Sequence, residues 1–566
     1  MLEFKRIDKT KEEIEKFNNI TKIISFIRFI VAVTSIIFII IGISYKSLYL
    51  FIGIGIFVIF ALLLILTNKY YKKLEVLKNI IKAYDNHKKR RENKYHLFKD
   101  NGNDLKSKNN YKESDLDLFG PHSIYQYLSV AKTKYGRKYL HDALVDGSDY
   151  DYKELSQKLA ENEDSIYLEG AIYNFNDDAK KMDYDSLYSL IGNKIIFNIL
   201  FILPLISFIL MIVYIPFIFI KGFNPYFLFI FVIVNYFLTK LCLNNPIFNL
   251  DSHIYYDVCE KYLDLSTTIN NINIDSNIYN NIKNTINDKK ENLKNVISSL
   301  NLLSYRKNML FNFLSNSILI FDFWTIIIYN LKTKKNIEIK DYFEAVGRLE
   351  VALSFANIGI DNEIYTIGQE NESIDAKDMY HVLVKNCIPN SFNLNGGVVL
   401  TGSNMSGKTT FMRTLGICQT LFNANALIPA KEFKSSKINI YTSLRANDML
   451  SEGISTFYAE ILRVKEMNDA IKNNKNLLLI DEIFKGTNAI ERIEASFKVI
   501  DKFNSYNQYF IVSTHDFELC DAKNILNYHF NEEYNDDKIS FDYKIKIGKS
   551  DTKNAIYLLK MANIID

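Results

Sequence analysis

Long uncharged apolar runs mark the N-terminal part of the chain. Residues 29–45 carry no charge and residues 47–68 carry none, so that Lys46 alone separates the two runs. Each run approaches the roughly 20 residues that a helix needs to cross a bilayer, which predicts a membrane hairpin over residues 23–68. A buried hairpin of a soluble protein is the alternative, although soluble helices are seldom apolar on all sides over this length.

A second pair of apolar runs covers residues 195–220 and 226–239, with Lys221 in the turn between them. We predict a second hairpin over residues 193–241, whose last run is short for a bilayer. Together the hairpins give four predicted spans. Lysine and arginine flank the first hairpin on both sides, which favours a multi-pass protein of the cell (inner or plasma) membrane with its C-terminal domain in the cytoplasm.

Polar and amphipathic helical patterns fill the remaining N-terminal stretches. They assign residues 1–22 to a cytoplasmic segment, 69–112 to a basic linker, 113–192 to a helical segment and 242–377 to further helices. The basic linker fits a topogenic role with attraction to anionic lipid, or a nucleic-acid contact. The last segment contains a group of lysines, namely Lys283, Lys289, Lys290 and Lys294. Contact with phosphates and a solvated helix face explain this group equally well.

From residue 378 to 566 strands and helices alternate, which predicts an α/β domain. In this domain an apolar strand over residues 397–400 leads into a glycine-rich turn and a helix. Such a turn points backbone N–H groups and a helix N-terminus at an anion, while its lysine reaches the β- and γ-phosphates and its threonine can hold Mg²⁺. The predicted nucleotide-binding residues are Gly402, Ser403, Asn404, Met405, Ser406, Gly407, Lys408, Thr409 and Thr410.

Two more strands supply the partners that such a turn needs. Residues 476–480 are a buried apolar run that ends in Asp481 and Glu482. We expect Asp481 to bind Mg²⁺, usually through water, and Glu482 to orient and deprotonate the attacking water. A further apolar strand, residues 509–513, is followed closely by His515, which is placed to sense or hold a γ-phosphate.

Composition adds little to this picture. The formal net charge is +3, which neither demands nor excludes a polyanionic partner. The five cysteines are scattered without a C-x-x-C pair, so neither a zinc site nor a disulfide framework is predicted.

Four segments follow one another along the C-terminal domain: the turn T-G-S-N-M-S-G-K-T-T, the run over residues 451–457, the Asp481–Glu482 strand with residues 486–488, and residues 513–515. In order and spacing they resemble the ATPase domain of MutS proteins. The resemblance is specific over residues 382–520 and extends more weakly to residues 115–140 and the helices after them, which look like the MutS core and levers. It implies an ABC-class ATPase homodimer that uses ATP and Mg²⁺. One subunit is expected to close a loop over the ATP of the other, and the implied loop and seam residues are Gly453, Ser455, Thr456 and Asn488.

The chain also departs from that family. No counterpart of the Phe-x-Glu wedge that probes mispaired bases is evident at the N-terminus, so mismatch recognition is not implied. The predicted fold is multidomain: transmembrane helical hairpins plus an all-α core and lever region, followed by a C-terminal α/β P-loop ATPase domain of the ABC class. The predicted function is a membrane-anchored MutS-family ATPase coupled to binding of duplex DNA. An ATP-driven remodeller of a membrane protein or lipid process is the alternative.

Overall fold

A computed structural model shows a helical N-terminal region followed by an α/β domain, as the sequence predicts. The structure describes residues 2–45, 47–107, 110–182, 187, 202–218, 224, 226–242, 252–304, 309–332, 339–403, 405–445, 456–472, 474–484, 487–535 and 538–549.

Fifteen helices precede the first strand in the described residues. They are α1 (Ile7–Ser44), α2 (Ser47–Arg91), α3 (Tyr111–Asp115), α4 (Ile124–Leu128), α5 (Lys134–Val145), α6 (Lys153–Glu161), α7 (Ser165–Ile172), α8 (Asp178–Lys181), α9 (Ile202–Phe217), α10 (Phe227–Cys242), α11 (Ser252–Asn271), α12 (Asn277–Ser304), α13 (Met309–Leu319), α14 (Phe321–Lys332) and α15 (Lys340–Asp361). A short 3₁₀ helix spans Tyr95–Leu97.

Strands and helices alternate after α15. They are β1 (Thr366–Ile367), β2 (Gln369–Glu370), β3 (Ile374–Met379), β4 (Asn390–Leu394), β5 (Gly397–Thr401), α16 (Lys408–Asn423), β6 (Leu427–Ile428), β7 (Glu432–Ser435), β8 (Asn439–Ser443), α17 (Thr456–Ala470), β9 (Asn476–Asp481), α18 (Ala489–Ser505), β10 (Tyr509–Ser513), a 3₁₀ helix (Phe517–Asp521), β11 (Ile525–Asn535) and β12 (Lys538–Ile547). Strand structure therefore begins before residue 378, the predicted start of this domain.

The predicted basic linker over residues 69–112 is not a linker in its first part. Residues 69–91 continue α2, whose 45 residues give a helix about 68 Å long. The reason is an apolar stripe at helical spacing beneath the lysines: Leu74, Leu77 and Ile80 are buried and join the main hydrophobic core, or lie at its edge. The lysines from Lys69 to Lys88 are exposed, whereas His87 and Arg90 are buried in the core.

The two N-terminal helices form the predicted hairpin. Both α1 and α2 are long and apolar enough to cross a bilayer, a criterion that a buried helix of a soluble protein also meets. Only 6% of the most apolar window of α1 and 11% of that of α2 is buried, so neither window is packed as a core helix would be. Helices α9 and α10 have 16 residues each, about 24 Å, and fall short of a 30 Å hydrocarbon core. Four full spans are therefore not supported by the described residues.

Helix α15 is the centre of the helical region and is buried along nearly its whole length. It crosses α5 where two glycines face each other, because a Cβ on Gly136 would lie 1.8 Å from Glu350 Oε2 and a Cβ on Gly347 would lie 2.8 Å from Tyr135 Cβ. Helices α11 and α12 form an antiparallel pair beside it, closed by a hydrogen bond of 3.0 Å from Tyr279 Oη to the Ile269 carbonyl.

A six-stranded sheet forms the core of the C-terminal domain, in the order β12-β11-β5-β10-β9-β8. Its strands run parallel apart from β12, which pairs antiparallel with β11 at the edge. Every residue of β5 and β10 is buried because helices cover both faces of the sheet. Along β9, Leu477 and Leu479 pack with α16, whereas Leu478 and Ile480 pack with α18. The carboxyl ends of β5, β9 and β10 therefore meet at one edge.

Candidate nucleotide site

The loop between β5 and α16 has the shape of a phosphate cradle. Gly402, Met405 and Gly407 have φ angles of 144°, 72° and 107°, in the region that favours glycine. A Cβ on Gly402 would lie 2.9 Å from Ser406 Oγ and 3.0 Å from the Phe530 carbonyl, so the first glycine of the motif is also required by packing. Ser406 Oγ donates to the Ser403 carbonyl at 2.8 Å and holds the turn.

Lys408 is the first residue of α16 and is buried beneath this loop. Its Nζ donates to the carbonyls of Gly402 at 2.6 Å and Ser403 at 2.8 Å. An ammonium group has three donors on a flexible stem, so the same position allows it to reach an anion seated in the loop. The structure therefore places Lys408 at the loop, and its contact with phosphates stays a prediction.

Thr409 and Asp481 are brought together as the sequence predicts. Thr409 Oγ1 donates to Asp481 Oδ2 at 2.6 Å, and the Ser513 hydroxyl donates to Asp481 Oδ1. The second contact follows from the register of the sheet, in which Ser513 lies opposite Asp481 on the neighbouring strand. Mg²⁺ prefers oxygen ligands and keeps several waters, so one hydroxyl and one carboxylate suit it. Ser513 was not among the predicted site residues.

Glu482 and His515 form a pair at the ends of β9 and β10. Glu482 has a left-handed φ of 52°, and its N–H donates to the Ser513 carbonyl at 2.9 Å. His515 Nε2 lies 3.1 Å from Glu482 Oε1. The geometry thus places the predicted water-activating carboxylate and the predicted phosphate sensor within hydrogen-bond reach of each other.

An ion pair anchors the segment that carries His515. Arg492 on α18 binds Asp516 through two hydrogen bonds, of 2.8 Å from Nε and 2.7 Å from Nη2. Such a bidentate contact restricts both side chains more than a single contact would. Sequence reasoning missed this pair, because its members are 24 positions apart and neither belongs to a motif.

The cradle opens into a cavity of about 600 Å³. Lys408, Thr409, Asp481 and Glu482 line one side of it. The other side comes from residues 379–390 and 530–543. Its wall combines Met379, Val384, Cys387, Ile388, Phe530 and Tyr543 with the polar Lys385, Asn386 and Asn390. A charged pole facing a wall of mixed polarity suits a ligand that has phosphates at one end and a flat ring with polar edges at the other.

Some predicted residues are not part of this arrangement. Asn404, Gly453 and Ser455 lie outside the described residues, and Thr456 begins α17. Thr410, by contrast, lines the cavity from the first turn of α16, where it is exposed. Asn488, predicted at a subunit seam, is the N-cap of α18 in this chain, where its Oδ1 accepts from the Glu491 N–H at 2.9 Å.

Two aspartates of the helical region hold the C-terminal domain beside the cradle. Asp117 accepts from Arg445 Nη2 at 2.7 Å with each carboxylate oxygen and lies 3.5 Å from Arg413 Nη1, on the cradle helix. The buried Asp115 accepts from the Leu444 N–H at 2.9 Å. Burial raises the pKa of Asp115, and burial followed by the neighbouring Arg445 lowers the pKa of Arg413.

A third arginine contacts Asp115 and Arg445. Arg463 on α17 donates to Asp115 at 3.4 Å and to the Arg445 carbonyl at 2.7 Å. A packing contact accompanies the charges, because a Cβ on Gly416 of α16 would lie 2.7 Å from Leu116. The helical region thus touches the cradle helix and both flanks of residues 446–455.

Comparison with known proteins bears on the C-terminal domain. The model of the family described as MutS domain V matches residues 398–566. The C-terminal domain is therefore MutS-related. The match begins at β5 and includes the cradle, the Asp481–Glu482 strand and His515.

Curated relatives of this MutS-related chain have similar identities. The DNA mismatch repair protein MutS of Leptospira interrogans is 31% identical over 214 residues, and MutS protein homolog 4 of Mus musculus is 31% identical over 240 residues. The DNA mismatch repair protein MutS of Clostridioides difficile is 29% identical over 252 residues. These matches cover 34%, 39% and 41% of this chain and 25%, 24% and 26% of the relatives. The MutS-related chain therefore spans about a quarter of the length of these relatives.

Proposed function

We propose that this protein binds and hydrolyses ATP with Mg²⁺ at the cradle and that a bilayer holds it through the apolar hairpins. The convergence of Lys408, Thr409, Asp481, Glu482 and His515 at one edge of the sheet carries the proposal. Lys408 would neutralise the β- and γ-phosphates, and Thr409 with Asp481 would hold Mg²⁺, whose charge stabilises the transferring phosphoryl group. Glu482 would position and deprotonate the attacking water while His515 orients that carboxylate.

We further propose that the active form is a homodimer with composite sites. Two apolar side chains support it, because Met405 on the cradle loop and Ile490 at the start of α18 are both largely exposed. Both lie on the side of the domain that carries the cradle, where the resemblance expects the partner subunit to close. Gly453, Ser455, Thr456 and Asn488 are the residues proposed to act across that seam.

Duplex DNA is the proposed ligand that regulates hydrolysis, by analogy with relatives named as DNA mismatch repair proteins. The lysines considered for phosphate contact support it weakly. Lys283 Nζ donates to the carbonyls of Asn270 at 3.0 Å and Ile272 at 3.3 Å, in the turn between α11 and α12. Lys294 lies 3.4 Å from Glu291 on its own helix. The largely unburied apolar windows of α1 and α2 favour a second candidate, an ATP-driven remodeller of a membrane protein or lipid process.

ATP hydrolysis by the full chain in lipid nanodiscs, with and without linear duplex DNA across a salt series, tests the proposal. Stimulation by DNA that weakens steeply with salt is the result expected for a nucleic-acid ligand, because phosphate contacts release counterions. ATP turnover that does not change when DNA is added would contradict a DNA ligand and support the membrane remodeller. Absence of Mg²⁺-dependent turnover in every condition would contradict the ATPase itself.

A further inference from the structure

Helices α13 and α14 pack on the second apolar hairpin, although the sequence pattern assigned residues 309–332 to the helical core. Asn235 of α10 donates through Nδ2 to the Ser317 carbonyl of α13 at 3.2 Å, and it also lies 3.6 Å from Met211 Sδ of α9. The rings of Tyr236 and Phe313 have centroids 5.0 Å apart. The buried Asn235 amide therefore links its own helix, α10, with both α9 and α13.

The fourth helix joins them through a small apolar cluster. Ile320 and Phe323, at the start of α14, are buried against Leu205 and Phe208 of α9. Helices α9, α10, α13 and α14 thus form one unit, which we call the apolar bundle. The two parts of the bundle, residues 202–242 and 309–332, precede and follow the α11–α12 pair in the sequence.

The apolar bundle has its polar and apolar residues reversed relative to a water-soluble bundle. Buried polar residues on its helices are Ser207, Asn235, Thr239, Ser315, Asn316, Ser317, Asp322 and Thr325. Exposed apolar residues cover all four helices, among them Ile209, Val213, Phe229, Ile233, Leu314, Leu319 and Trp324. Exposing this much apolar surface to water is unfavourable by roughly 25 cal/mol for each Å², so a surface of this kind indicates an apolar surrounding.

The first hairpin and the apolar bundle lie at the same end of the molecule. Lys72 of α2, just past the apolar run of that helix, lies 2.6 Å from Glu260 of α11. Helix α11 follows α10, and since α11 and α12 are antiparallel, the end of α12 that leads into α13 lies at that same end. Lysines border the apolar run of the first hairpin, and Lys73 lies 4.3 Å from the Phe17 ring centroid. A basic border around an apolar end matches an anionic bilayer surface.

We propose that α13 and α14 are membrane-inserted helices, which enter the bilayer beside α9 and α10 with their outer faces against lipid acyl chains. This inference rests on the proposed membrane location. With 11 and 12 residues, α13 and α14 are about 17 Å long and enter one leaflet instead of crossing the bilayer. The buried amide and hydroxyl groups then hold the bundle together where water is absent.

Trp324 makes this proposal directly measurable, because it is the only tryptophan of the sequence and lies on α14 with 42% of its surface exposed. The full chain is reconstituted into phosphatidylcholine and phosphatidylglycerol vesicles, part of whose acyl chains are dibrominated. We expect the brominated lipid to quench on the order of half of the Trp324 fluorescence, and aqueous iodide to quench little, since an indole at this depth contacts acyl chains.

A matched variant supplies the control. Phe517 lies in the C-terminal domain with 43% of its surface exposed, so the double variant Trp324→Phe, Phe517→Trp moves the single indole to an equally exposed site outside the bundle. That indole should respond to iodide and not to brominated lipid. Equal responses of the two proteins would overturn the proposal.

Flotation of the vesicles separates this inference from the proposed location. Co-flotation with an unquenched Trp324 would overturn the insertion of α14 while leaving the membrane location intact. Failure to float at all would overturn both. Co-flotation with quenching specific to Trp324 supports both.

Discussion

Two regions of this chain bury opposite kinds of side chain, apolar ones in the first region and polar ones in the second. In the C-terminal sheet, β5, β9 and β10 place apolar side chains inside and bring charged ones to the strand ends, where they form the cradle. In the α1–α2 hairpin and the apolar bundle, apolar side chains face outward and polar ones such as Ser35 and Asn235 are buried. The same physical rule produces both patterns, since each surface matches its surroundings. The difference separates the site that we propose to perform chemistry from the part that we propose to hold the protein at a membrane.

The largest effect is expected for Lys408→Ala, which should abolish nucleotide binding and leave membrane attachment unchanged. Lys408→Ala removes a buried ammonium worth about 1.5–3 kcal/mol for each charged hydrogen bond to phosphate, so ATP affinity should fall below detection in a fluorescent-nucleotide titration. Flotation with vesicles should not change. Lys498→Ala, which removes an exposed lysine on α18, is the control and should bind ATP normally. Normal ATP affinity in Lys408→Ala would contradict the cradle assignment.

The next effect separates binding from turnover within the cradle. Glu482→Gln keeps the shape of the side chain and removes its charge, so we expect ATP binding to persist while turnover falls about 10² to 10⁴-fold, the usual contribution of a general base. Binding and steady-state hydrolysis are measured on the same preparation. Glu494→Gln changes an exposed carboxylate on α18 and should leave turnover unaltered. Hydrolysis by Glu482→Gln at the parent rate would show that another group activates the water.

Lysine substitutions at two equally exposed apolar positions, one in each region, test whether the two surfaces face different surroundings. Ile59 on α2 is 51% exposed and Leu526 on β11 is 53% exposed, so water alone would treat them alike. If α2 crosses a bilayer, Ile59→Lys should cost about 2.5–3.5 kcal/mol of insertion free energy and reduce the membrane-integrated fraction. Leu526→Lys should stay within about 0.5 kcal/mol of the parent. Resistance to alkaline extraction measures this fraction, and equal behaviour of both variants would remove the distinction between the two regions.

Sequence alone predicted the cradle well because its residues are local. Gly402 to Thr409 form one turn, and Asp481, Glu482 and His515 each end a strand whose continuous apolar run is typical of a parallel sheet. The carboxyl ends of parallel strands share one edge of a sheet, so the convergence of these residues follows from the apolar pattern. The first hairpin was predictable for a similar reason, since its apolar runs are long and uninterrupted.

Other features depended on contacts between distant residues and could not be predicted. Asp117 and Arg445 are 328 positions apart, and nothing in either neighbourhood indicates the other. The side of the cavity lined by Ile388 and Tyr543 combines a loop with strand β12, and neither carries a motif. The pattern of residues 309–332 is amphipathic enough for a core helix, whereas contacts such as that with Asn235 place these residues against the second apolar hairpin.

Helix α2 runs from the first hairpin into the helical core, and the smallest effect concerns the point where it enters that core. His87 is fully buried there, with Nδ1 2.9 Å from Asp361 Oδ2 and Nε2 3.2 Å from Glu169 Oε1. The side chain of Arg90 is buried beside them. Burial lowers the pKa of His87, but the carboxylates of Asp361 and then Glu169 outweigh burial and raise it to about 9.

A raised pKa stabilises the fold below the unfolded-state value of about 6.5, and the stabilisation disappears as the pH rises through about 9. The local free energy of opening should therefore fall by about 2 kcal/mol between roughly pH 7 and pH 8.5, measured by hydrogen exchange of amides in the second half of α2, α7 and α15. His87→Gln should start less stable and lose this pH dependence, whereas His141→Gln, half-buried beside Asp142, should retain it. Opening energies of the parent that do not change with pH would mean that His87 is neutral in the folded state. Opening energies of residues 47–68 should not depend on His87 at all, since that half of α2 has a different surrounding.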